Sequence, residues 1–124
     1  LKNKILGLRT TIYHVSDIDK AKKWYTEAFA TEPYFDQPFY VGFNIGGFEL
    51  GLHPEAKPAT DKAVSVVSYW GVDDVPAEYE RWIKLGGKEN EAPQNVGGEI
   101  IVASVRDPWG NIVGLIHNPE FKLP

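Results

Sequence analysis

His14, Glu49 and His53 are the side chains of this 124-residue chain whose types and spacing could do chemistry beyond packing. Thr10, Ile12 and His14 alternate along one stretch, and Glu49, Gly51 and His53 along another. In a strand, residues two apart share a face, so each set can look out from the same side of a sheet. Two imidazoles and a carboxylate are the donor inventory of a mononuclear metal site. In apolar, partly desolvated surroundings Glu49 would have its acid form favoured and its pKa raised, the condition for a general base near neutrality. The plainer reading leaves both histidines at strand ends in solvent and Glu49 salt-bridged or facing solvent in a hairpin.

Other chemistries find little support. The chain has no cysteine, which removes disulfides, thiolate nucleophiles and zinc-thiolate sites, and suits a reducing compartment. Seventeen acidic against thirteen basic residues give a net charge of -4, and no stretch gathers the basic residues into a phosphate-binding face, so no nucleic-acid partner is expected. Gly42 and Gly46-Gly47 lack the lysine and serine of a phosphate loop, and no serine stands at a readable spacing from a histidine. No apolar run approaches the ~20 residues needed to span a bilayer, and the start LKNKILGLRT carries no signal-type block. A cytoplasmic protein without a membrane partner is the expectation.

The elements that must position these side chains occur twice, 57 positions apart. Leu6 to Val15 reads as a strand, Asp17 as the cap of a helix, and Ile18, Ala21, Tyr25, Ala28 and Phe29 as that helix's buried stripe. Pro33 stops it, and Tyr34 to His53 holds a short strand and then a hairpin, 40–45 and 48–53, turned by Gly46-Gly47. Residues 54–63, with two prolines and mixed charge, read as the linker between repeats spanning about 6–53 and 64–118. In the second repeat a strand from Val64 to Val72 leads to a helix capped by Asp73 or Asp74, with Pro76 in its first turn and Val75, Tyr79 and Trp82 facing inward. A short strand near Lys88 to Glu91, a loop through Pro93, and a hairpin across Asp107-Pro108-Trp109-Gly110 complete it. Each unit is thus βαβββ within a single α+β domain, 1–124. Tyr69 shares the face of Val67, and Trp109 heads a turn that has no local need of a large ring. Flat, rigid side chains beside a few polar anchors suit a small, aromatic organic ligand.

These pieces resemble the vicinal-oxygen-chelate superfamily, which contains glyoxalase I, the bleomycin and fosfomycin resistance proteins and the extradiol dioxygenases. The resemblance rests on TTIYHVSDIDKAKKWY (10–25), FELGL (48–52), GVDDV (71–75) and DPWGNIVGL (107–115), and covers essentially the whole chain. It implies two βαβββ modules forming curved mixed sheets around a cup, with helices on the outside, in a homodimer. It also implies that the family's metal-ligand positions fall on Thr10, Glu49, Val67 and Gly114, of which only Glu49 can ligate. The leading expectation is therefore a small-molecule binding protein that lacks the family metal site and needs no cofactor. Its cup would be lined by Thr10, Ile12, His14, Glu49, His53, Val67, Tyr69, Trp109 and Gly114. The alternative is a lyase, isomerase or dioxygenase-like enzyme that uses Glu49 as base or ligand, with a divalent metal at a shifted site of His14, Glu49 and His53.

Overall fold

The structure, a computed structural model, describes residues 8–56 and 66–121. The chain divides into two compact units, residues 1–58 and 59–124. The first runs β1 (Thr10–Val15), α1 (Ile18–Ala28), β2 (Phe35–Gln37), β3 (Tyr40–Ile45) and β4 (Phe48–Pro54). The second repeats that order as β5 (Tyr69–Gly71), α2 (Val75–Lys84), β6 (Lys88–Gly97), β7 (Ile100–Arg106) and β8 (Ile112–His117). Both sheets have the same topology, β1-β4-β3-β2 and β5-β8-β7-β6, with the first strand parallel to the last and the other pairs antiparallel.

Local chemistry starts each unit in the same way. The Asp17 carboxylate accepts the Lys20 N–H at 3.1 Å, and that of Asp74 accepts the Ala77 N–H at 3.1 Å, each satisfying a donor that the first helical turn leaves open. That bond makes Asp74 rather than Asp73 the second cap, and Pro76 falls in the first turn, where no N–H is needed. In the first unit α1 lays Ala21, Tyr25 and Ala28 on one face of the sheet, against Tyr13, Val15, Val41, Phe43, Leu50 and Leu52, all buried. In the second unit Val75, Tyr79 and Trp82 of α2 do the same for Val105, Val113 and Leu115.

Three expectations change. Among the described residues the strands form two four-stranded sheets, neither closed nor strongly curled, so the cup of curved sheets is not what these strands build. Among the described residues the first unit presents an open sheet with α1 on one side and a helix-free face on the other. The strand expected at Lys88 to Glu91 continues instead through Pro93 to Gly97, with register shifts at three places. An edge strand tolerates proline and bulges, because one side of its ladder needs no partner. The strand expected from Val64 is seen only over Tyr69–Gly71, its first two residues, like most of the 54–63 linker, lying outside the described residues.

Candidate functional site

Pairing register places the chemistry of the first unit. β1 and β4 align Thr10 with Glu49, Ile12 with Gly51 and His14 with His53, and β3 aligns Gly42 with Gly51 and Asn44 with Glu49. Paired residues share a face, and these all lie on the side away from α1. The face therefore carries Glu49 near one end and the two histidines near the other, four residues or about 13 Å along the strand.

At the histidine end, His14 and His53 stack with ring centroids 5.0 Å apart, and His14 Nδ1 bonds the Glu55 carboxylate. Donor atoms of His14, His53 and Glu55 all lie within 4.8 Å of one another. Nitrogen and oxygen donors sit about 2.1 Å from a first-row divalent ion, so donors sharing one are about 3–4 Å apart. Small rotations of these three side chains, two of them exposed, would close that difference. Two imidazoles and one carboxylate suit zinc, iron, nickel or manganese and would leave further positions to water or substrate. The expectation that the chain lacks a metal-binding set is corrected by this convergence. The set also differs from the shifted one read from the sequence, since Glu55 takes the place given to Glu49.

Glu55 falls in the stretch, 54–63, that reads from the sequence as a linker. Its N–H bonds the Val15 carbonyl at 2.8 Å, which carries the β1–β4 pairing one step beyond Pro54. Continuing the period of two from Glu49, Gly51 and His53 would have found it.

At the other end, Glu49 gathers three hydroxyls. Oε1 accepts from Thr10 Oγ1 at 3.0 Å and from Tyr40 Oη at 2.9 Å, and Oε2 accepts from Tyr34 Oη. The bond from Tyr34 leads in holding the Glu49 pKa below the usual carboxylate range; partial burial opposes it, and Tyr40 and Thr10 add to it. That reverses the raised pKa expected for a general base, because hydroxyl donors outweigh desolvation. The partners move the other way. Tyr40 is pushed up to about 12 by burial and then by its bond to Glu49, and Tyr34 is raised mainly by its bond to Glu49. Two glycines make room: a Cβ on Gly51 would stand 2.0 Å from Tyr40 Oη, and one on Gly42 would stand 2.8 Å from Glu49 Oε2. The sequence reading named neither Tyr40 nor Tyr34 as a site residue; small residues beneath large polar ones were the available signal.

Ile12, between the two ends, is 49% exposed. Val67, Tyr69, Trp109 and Gly114 belong to the second unit. Tyr69 pairs with Gly114, and its ring lies where a Cβ on Gly114 would be, 2.5 Å from Cδ1. Val67 precedes β5, and Trp109 is held in the β7–β8 turn, its N–H donating to Asp107 Oδ1 at 2.9 Å.

An open βαβββ sheet whose helix-free face carries histidines and carboxylates places the chain in a broad class of folds without fixing one reaction. The comparisons narrow the class. A family model described as Glyoxalase/Bleomycin resistance protein/Dioxygenase superfamily matches residues 7–115, and the chain belongs to that superfamily. Similar solved structures include a glyoxalase-related enzyme from Fulvimarina pelagi, 19% identical, covering 97% of this chain and 94% of that one with a TM-score of 0.79. A glyoxalase/bleomycin resistance protein from Albidiferax ferrireducens T118 is 20% identical over 90% and 98%, TM-score 0.73. A glyoxalase/bleomycin resistance protein/dioxygenase family enzyme from Burkholderia phytofirmans PsJN is 16% identical over 87% and 95%, TM-score 0.74. No functionally curated protein matches the chain. Among the described residues no helix is long and apolar enough to cross a membrane.

Proposed function

We propose that this chain is a metal-dependent enzyme of the lyase, isomerase or dioxygenase-like kind, acting on a small organic molecule at the helix-free face of its first unit. One observation carries the reading: His14, His53 and Glu55 bring three donors of suitable type within 4.8 Å. A bound divalent ion would act there as a Lewis acid on a substrate oxygen or on water. The chain's own residues divide the remaining work. Glu55, bonded to His14 Nδ1, keeps that imidazole beside the other two donors before an ion arrives. Glu49, kept ionised by three hydroxyls, is a weak base and a strong acceptor. Its part is to bind and orient rather than to abstract a proton. The similar structures named as enzymes are in keeping with this reading.

The reading extends to a single functional domain containing both units, assembled as a homodimer that shields sheet edges, and to a cytoplasmic setting. Light scattering tests the dimer.

The decisive experiment is metal analysis by plasma mass spectrometry of natively purified protein, with thermal-shift titrations of nickel, zinc, manganese and iron(II). The expected result is near-stoichiometric metal in the wild type and in Glu49→Gln, with loss in His53→Ala and Glu55→Gln. All of these side chains are at least partly exposed, so the fold should survive each change. Protein that takes up no metal and shows no thermal shift would refute the proposal.

A further inference from the structure

Glu49 is a carboxylate whose charge the protein maintains and does not neutralise. Its three hydrogen bonds come from the neutral hydroxyls of Thr10, Tyr40 and Tyr34. A carboxylate offers about four acceptor positions, so one on Oε2 is left over. Among the described residues the ion pairs join His14 to Glu55, Lys22 to Asp36 and Arg81 to Glu78, and none involves Glu49. Glu49 and Tyr34 line an open depression of about 300 Å³. The depression is reached from solvent, and Tyr34 on its wall is 64% exposed. Behind it Phe35 packs on Tyr40 with centroids 6.1 Å apart.

A purely structural carboxylate would be expected to carry a counter-charge or to lose its own. Here the hydroxyls hold the anion in place, and aromatic rings stand beside it. A cation gains from both, by Coulomb attraction to the carboxylate and by the electron-rich faces of tyrosine. We propose that Glu49, flanked by Tyr34 and Tyr40, is the subsite for a cationic nitrogen, and that the substrate is an organic amine or a related organic cation. This rests on the helix-free face being the substrate site and not on occupancy of the histidine cluster.

The test measures binding of three probes of similar size by calorimetry: phenethylamine, neutral 3-phenylpropanol and anionic 3-phenylpropionate. It is run at neutral pH with and without a chelator. The wild type should prefer the amine by about tenfold over both others, a preference that shrinks as salt screens the charge. The preference should survive chelation, which separates this result from the metal reading. It should vanish in Glu49→Gln. Asn44→Asp, which adds a carboxylate opposite Glu49 in the β3–β4 ladder, should strengthen it and serves as a second variant should Glu49→Gln be poorly folded. Equal binding of all three probes by the wild type would overturn the assignment, as would no binding of any of them. A preference that persists in Glu49→Gln, or that fails to rise in folded Asn44→Asp, would do the same.

Discussion

Replacing Gly51 with alanine tests whether the helix-free face is built as described, because a single methyl group would land on the Glu49 cluster. Gly51 is not among the glycines with positive φ, so its backbone accepts alanine without strain. Alanine would even narrow the unfolded ensemble, by about 0.4–1 kcal/mol in favour of the fold. The added Cβ would stand 2.0 Å from Tyr40 Oη and 2.6 Å from Cζ, closer than any real contact. The ring must swing away, and its 2.9 Å bond to Glu49 breaks. A hydrogen bond to a charged group contributes about 1.5–3 kcal/mol when buried. Both residues are partly open to solvent, so we expect a net loss of about 1–2 kcal/mol, or a Tm lower by about 4–8 °C for a chain of this size. Urea and thermal unfolding of Gly51→Ala, Tyr40→Ala and the double variant close a mutant cycle. Once the ring is gone, alanine at 51 should be neutral or slightly stabilising. If Gly51→Ala costs the same with and without Tyr40, the placement of Tyr40 over Gly51 is wrong.

Two further outcomes follow from the same geometry. The folded pKa of Glu49 lies below its ordinary 4.5, so its stabilising contribution is fully present above pH 4.5 and is lost as pH falls through the lower folded value. The stability gap between wild type and Glu49→Gln should therefore stay constant from neutrality down to about pH 5 and narrow only below 4.5, and a gap that already closes above pH 5 would contradict the lowered pKa. In the second unit the buried Asp107 carboxylate accepts from Trp109 N at 2.9 Å, Asn111 N at 2.7 Å and Asn111 Nδ2 at 2.9 Å. Asp107→Ala should cost about 2–4 kcal/mol in urea unfolding by stranding those donors, and a loss below about 0.5 kcal/mol would count against the turn's role.

Much of this was written locally in the chain. Helix caps at Asp17 and Asp74, the glycine turn at 46–47 and the DPWG turn act over three or four residues. The alternation of β1 and β4 determined which face Thr10, His14, Glu49 and His53 would share, because side-chain direction in a strand depends on parity alone. The repeat and the superfamily were legible for the same reason.

Tertiary structure decided the rest. That Glu55 joins the two histidines depends on β1 running parallel to β4 past Pro54, a contact between residues 40 apart in sequence. The shape of the surface depends on strand twist summed over a whole sheet, and a cup could not be told from an open face by reading the strands singly. The sign of the Glu49 shift was set by three hydroxyls arriving from β1, from β3 and from the segment before β2. Sequence supplied the carboxylate and its face, but a pKa belongs to the atoms around a group, and only the folded chain brings Tyr34, Tyr40 and Thr10 to it.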